Sequence, residues 1–161
     1  MNDFLTIAHM AAAADTSVAQ IQGWIARGQF VPERTTTPGV SRRFGLDDAT
    51  RLAIMAYGVN SAGLSFNAAA LIIKMLHGQP QFMSDLVNYE VDQFAIVYAD
   101  HADKCGNTFD EAFVQAIDMA EAWDGVMREL RDRDPAGATI INLSTVAKRA
   151  RQRLMAALDA E

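Results

Sequence analysis

A single cysteine, Cys105, is all the chain carries in 161 residues. That excludes an intrachain disulfide and a metal site built from several thiolates. No apolar run approaches the roughly 20 residues needed to span a bilayer. The start, Met1-Asn2-Asp3, lacks the basic segment of a secretory signal. The expectation is therefore a cytoplasmic protein with no membrane partner. Whole classes of catalytic signature are also missing: no Gly-Lys-Ser/Thr phosphate loop, no Gly-x-Ser-x-Gly elbow and no His-Glu-x-x-His. Carboxylates are plentiful but scattered, as on a solvated acidic surface. No catalytic residue and no cofactor is expected.

One cluster comes closest to a metal site. Asp100, His101, Asp103 and Cys105 crowd a segment that follows an apparent strand. The residue types suit a metal, but their spacing matches no zinc or calcium pattern. His9 and His77 stand alone and read as structural. The metal expectation is none.

Basic charge is scarce as well, with a net charge of −6. Its distribution matters more than its total. Residues 1–78 hold six basic against five acidic side chains, and residues 79–161 hold eight against fifteen. The acidity belongs to the second half. Nucleic-acid affinity depends on local phosphate neutralisation, so the first half is not excluded from it. Half of the residues are hydrophobic and about a fifth are charged, which describes a folded globular chain.

What is present begins with two short helices, Ile7–Ala14 and Ser17–Arg27, separated by Ala14-Asp15-Thr16. Asp15, Thr16 and Ser17 are all competent N-caps, because each carries a side-chain oxygen for a free backbone N–H. In the second helix Val18, Ile21, Trp24 and Ile25 form one buried stripe. Its other face offers Ser17, Ala19, Gln20, Gln22, Gly23 and Arg27, side chains suited to base edges or phosphates, or simply to water. Gly28 follows as a C-terminal cap.

Phe30 and Val31 are then expected to pair with Arg42, Arg43 and Phe44 as a short antiparallel ribbon. Phe30 and Phe44 would face inward and leave Arg34, Arg42 and Arg43 outside. The loop between them is tipped by Pro38-Gly39. Leu46-Asp47-Asp48 opens a third helix to about Asn60, with both aspartates placed well for its positive N-terminus. Leu52, Met55, Ala56 and Val59 form its stripe. Gly63 breaks the chain and Ser65 caps a fourth helix, which stops at Gly78 and Pro80.

These segments together resemble the MerR-type winged-helix family. The matching residues are Thr6-Ile7 with Met10-Ala11, Thr16-Ser17-Val18 with Ile21 and Trp24, and Gly28-Gln29-Phe30-Val31-Pro32. Gly39 with Arg42-Arg43-Phe44, Leu46-Asp47-Asp48 with Arg51-Leu52, and Ala62-Gly63-Leu64-Ser65 complete the series. The order and spacing follow the family over roughly the first 75 residues. The resemblance implies a DNA-binding domain with helix 17–27 in the major groove and wing 29–44 on the phosphate backbone. It also implies homodimers on inverted repeats. Two departures stand out. Ala19 and Gln22 occupy places where the family commonly has arginine, and Gly23-Trp24 replaces an aromatic pair. The family's metal-sensing cysteines are absent.

The second half reads differently from the family's long dimerising helix. Gln93–Ala99 and Thr139–Leu143 read as buried strands. Between them Phe109, Ala112, Phe113, Ala116, Ile117, Ala120, Trp123, Met127 and Leu130 repeat at helical spacing. A last helix, capped by Ser144 or Thr145, runs to about Ala160. It carries Lys148, Arg149, Arg151 and Arg153 opposite an apolar stripe, which reads as a solvated face with phosphate contact as the alternative. Strand, helix, strand, helix suggests a parallel β-α-β unit.

The fold expected is mainly α (α+β). Residues 1–78 would form a winged helix-turn-helix, and residues 79–161 a β-α-β-α dimerisation or sensor-like domain open to an unknown effector. The function expected is a homodimeric DNA-binding transcriptional regulator whose partner is double-stranded DNA. Ser17, Gln20 and Gln22 would address base edges or groove-flanking phosphates, and Arg27, Arg34, Arg42 and Arg43 the backbone. Three alternatives stand beside it. One is an excisionase-like architectural protein of a phage or mobile element. Another is a winged-helix protein-interaction module without DNA binding. The third is a small-molecule sensor or enzyme using the loop after Tyr98.

Overall fold

A computed structural model describes residues 4–33, 42–77, 86, 93–102, 108–116, 124, 125, 127, 128, 131 and 137–160. Its elements are mainly helical, and local chemistry sets most of their limits. Helix α1 spans Ile7–Ala14. The Thr6 hydroxyl accepts from the His9 N–H at 3.3 Å, and His9 Nδ1 accepts from the Thr6 N–H at 3.2 Å. This reciprocal box satisfies two donors that the first turn leaves over. Asp15, at φ 51° and ψ 50°, ends the helix in the left-handed region. Asp tolerates that conformation better than most residues. Its N–H bonds Ala12 O, and the Thr16 N–H bonds Ala11 O. Asp15 therefore closes α1 and does not cap the next helix.

Ser17 is the N-cap of α2, Val18–Ala26, accepting from the Gln20 N–H at 3.1 Å. Gly28, at φ +69°, terminates it. The Gln29 N–H returns to Trp24 O at 2.8 Å and the Gly28 N–H to Ile25 O at 3.0 Å, the paired bonds of a Schellman ending. Helix α3 spans Leu46–Asn60 and α4 spans Phe66–His77. The Ser65 hydroxyl accepts from the Ala68 N–H at 3.1 Å.

Burial follows from position. The central helix α3 packs against α1, α4 and the C-terminal helix α5, Leu143–Leu158. It is accordingly buried almost all the way from Asp48 to Ala56, wider than the stripe its spacing predicts. Trp24 of α2 meets Phe66, the first residue of α4, edge-to-face at 5.7 Å. Such a pair contributes about 0.5–1.5 kcal/mol beyond its area. Met10, Ile21, Leu52, Ile54, Met55, Ile72 and Leu76 complete a core that extends to Ala150 and Leu154 of α5.

The remaining elements are strands β1, Gln93–Ala102, β2, Thr108–Ala116, and β3, Gly137–Asn142. Their order is β2-β1-β3, and both pairings are antiparallel. This corrects two expectations. Phe109, Ala112, Phe113 and Ala116 lie in a strand, not a helix, with Phe113 opposite Ile96 and Ala112 opposite Val97. Residues 117–123 of the expected helix lie outside the described residues. β3 lies antiparallel on the other edge of β1, so the parallel β-α-β unit does not form.

The cap of α5 also differs from expectation. Asn142 supplies it, accepting from the Thr145 N–H at 2.8 Å. Ser144 is buried instead and accepts from the Gln93 N–H at 2.9 Å, tying the start of β1 to the start of α5. Among the described residues no helix is long and apolar enough to cross a membrane.

Candidate nucleic-acid interface

The outward face of α2 is defined by what its other face buries. Ile21 and Trp24 are closed off, which leaves Ala19, Gln22, Ala26 and Arg27 exposed and Gly23 half-buried. This face is narrow and smooth. Gln22 is its one long polar side chain before Arg27. The Arg27 Nε–H donates to Gln29 Oε1 at 2.9 Å, and its Nη2 folds back over Gly23, 3.4 Å from where a Cβ would stand.

Ser17 and Gln20 stand at the entrance to α2, but both carry structural duties. The Ser17 hydroxyl caps the helix. Gln20 Oε1 accepts from the Thr16 hydroxyl at 2.6 Å, and its amide nitrogen donates to Asn60 Oδ1 at 3.4 Å. Gln20 thus links the turn, α2 and the end of α3, with both ends of its amide engaged inside the protein.

The wing follows. Phe30 and Phe44 are fully buried, as their place in the expected ribbon required. The backbone pairing is different. The Phe44 N–H and C=O pair with Leu5, at 3.1 and 3.0 Å, and not with Phe30 or Val31. Phe30 is still engaged in the α2 ending through its N–H to Trp24 O at 3.3 Å. The strand partner of the returning arm is therefore the segment before α1. Val31 is 68% exposed. Arg42 and Arg43 are both exposed, and the Arg43 guanidinium lies 4.8 Å from the centre of the Phe4 ring. Arg34 and the Pro38-Gly39 tip lie outside the described residues.

One residue organises both arms, a role beyond the helix-dipole place that its position in the sequence indicates. Asp48, in the first turn of α3, is wholly buried. Its carboxylate accepts from the Glu33 N–H on the outgoing arm at 3.0 Å and from the Gly45 N–H on the returning arm at 3.1 Å. It also accepts from Arg51 Nη2 at 2.6 Å. Arg51 in turn lies over the Phe30 ring at 5.6 Å and reaches Glu33 at 3.6 Å. The carboxylate clamps the base of the wing from both sides. The sequence held a signal for it: Asp48 sits three residues after Gly45 and three before Arg51, one helical turn either way.

Asp100 and His101 lie within β1, whereas Asp103 and Cys105 fall outside the described residues. No group of three or more His, Cys, Asp or Glu side chains gathers among the described residues.

The chain has no match among curated proteins. Residues 5–76, somewhat less than half of it, match the family model for the MerR HTH family regulatory protein. The matched span runs from the Leu5–Phe44 pairing to the last turn of α4 and contains α1, α2, both described arms of the wing and α3. The two capped helices and the clamped wing thus lie in a segment that is similar to the helix-turn-helix of that family.

Proposed function

We propose that this chain is a homodimeric transcriptional regulator that lays α2 in the major groove and sets the arms of its wing on the flanking phosphates. The observation that carries the reading is the Asp48 clamp. It fixes the two arms beside a helix-turn-helix and leaves Arg42 and Arg43 outside. Positively charged arms held on a rigid base suit backbone contacts, which position a protein on a duplex without reading its sequence. Residues 1–78 are the DNA-binding unit in this proposal, and Gln22 is the principal base-reading side chain. Ser17, Gln20 and Arg27 support the groove face, and Arg34 joins the backbone contacts.

Dimerisation in this reading uses residues 79–161. Strand β3 pairs on one edge only among the described residues, and Ile140 on it is 39% exposed. A free edge with apolar exposure favours pairing with a second chain. An effector acting through this half would show itself by raising the melting temperature.

The deciding experiment is selection of duplexes from a random pool, followed by a gel-shift salt series. Each phosphate contact contributes about 0.9 to the slope of log affinity against log salt. Replacing both Arg42 and Arg43 by alanine is expected to lower that slope by roughly 1.8. A slope unchanged in the double variant removes the wing from the mechanism. A second reading, a protein-interaction module, is favoured by the bare Ala19, Gly23 and Ala26 surface and by exposed Val31. Absence of any selected duplex would favour it.

A further inference from the structure

The C-terminal helix does not stand apart from the helix-turn-helix. Its Val146, Ala147, Ala150 and Leu154 are buried, and α5 lies against α1 and α3. This packing fixes its rotation. Lys148, Arg149, Arg151 and Arg153 are left on the exposed side.

Arg149 and Arg153, one turn apart, line a cleft of about 180 Å³. Its other walls include Asp15, in the turn between α1 and α2, and Asn60 and Ser61 at the end of α3. Asn60 is the residue bonded to Gln20 of α2. The cleft therefore borders the entrance to the helix proposed for the major groove. In a docked helix-turn-helix this turn approaches the sugar-phosphate backbone, and helix N-termini favour anions.

Charge follows the same line. An aspartate at this turn would repel phosphate. Arg153 Nη2 lies 2.9 Å from Asp15 Oδ2 and offsets it. Arg149 makes no ion pair among the described residues. The outward face of α2 meanwhile has alanine or glutamine where the family resemblance expects arginine.

We propose that α5 is a third DNA-contacting element, in which Arg149 engages a backbone phosphate beside the entrance to α2, with the Arg153–Asp15 pair holding the local charge favourable. The inference rests on the DNA-binding reading given above. It makes the C-terminal helix part of the interface and supplies from the far end of the chain a cation that α2 lacks.

The test uses the full chain and one selected duplex, with affinity measured across a salt series. Arg149→Ala is expected to lower the slope by about 0.9 and to weaken selected and unrelated duplexes alike. Arg149→Lys is expected to keep the slope. Asp15→Asn, which removes the repelling carboxylate, is expected to tighten binding. An unchanged slope for Arg149→Ala, while the Arg42 and Arg43 double variant loses slope, overturns the α5 contact and leaves the DNA-binding reading standing. No binding of any duplex by the unaltered chain overturns both. A lowered slope accompanied by loss of the helical circular dichroism signal in Arg149→Ala, with Arg149→Lys equally impaired, shows a structural role and also overturns the contact.

Discussion

Asp48 and Arg51 form a closed ion pair at 2.6 Å, with 0% and 3% of their side chains exposed. The pair spans the first two turns of α3, yet its consequence is in the wing, because the same carboxylate holds the backbone of Glu33 and Gly45. Removing one partner of a buried pair costs more than the pair contributes, since the other charge stays behind in a poor solvent. Asp48→Ala is expected to destabilise the chain by about 3–5 kcal/mol. Urea denaturation followed by circular dichroism measures this. A loss below about 1 kcal/mol would mean that the wing base is held by the buried Phe30 and Phe44 alone.

Two glycines, one inside α2 and one just past its end, are expected to respond in opposite directions. Gly23 sits inside the helix, and the nearest atom a Cβ there would meet is Nη2 of the long Arg27 side chain, at 3.4 Å. Gly23→Ala is expected to stabilise the chain by about 0.5–1 kcal/mol through helix propensity. Gly28 has open space around its Cβ position but stands at φ +69°. Gly28→Ala is expected to destabilise by about 1–2 kcal/mol, because an L side chain pays a steric penalty in the left-handed region. Thermal unfolding of the two variants side by side gives both signs.

The contrast between those glycines also marks what was legible in the sequence. Local chemistry was: Ser17, Ser65 and Gly28 set helix ends that the structure reproduces, and α3 keeps its expected span of Leu46–Asn60. Period alone failed at Phe109, Ala112, Phe113 and Ala116. A separation of four residues returns to the same face of both a helix and a strand, so Phe109 and Phe113 fit either. The choice was made by pairing with β1, a non-local contact that no short window contains. The same reason hid the wing clamp and the packing of α5 on α1. An apolar stripe shows that a face is buried, but not against which partner.

The two glutamines of α2 provide a third test. Gln20 is bonded to Thr16 and Asn60, whereas Gln22 is exposed. Gln22→Ala is expected to relax sequence preference at one base position, at a cost of about 1–3 kcal/mol for the preferred base, with stability little changed. Gln20→Ala is expected to lower stability by about 1 kcal/mol through loss of its hydrogen bonds. Binding selections repeated with each variant, together with melting curves, separate the two. The reverse pattern would make Gln20 the reader and its internal bonds a resting arrangement.

The smoothness of the α2 face finally predicts a gain of affinity. Ala19 is exposed in the first turn of α2. If that face lies in a groove, an arginine there adds one cation beside the phosphates. Ala19→Arg is expected to raise the salt slope by about 0.9 and to tighten binding to selected and unrelated duplexes alike, because a phosphate contact carries no sequence information. Arginine forms helix well but would stand at the positive end of α2, so a loss of stability of about 0.3–1 kcal/mol is expected. Fluorescence anisotropy with a labelled duplex at several salt concentrations reads the slope directly. A variant that remains folded and binds with unchanged slope would place Ala19 away from the duplex, and with it the helix face on which the groove assignment stands.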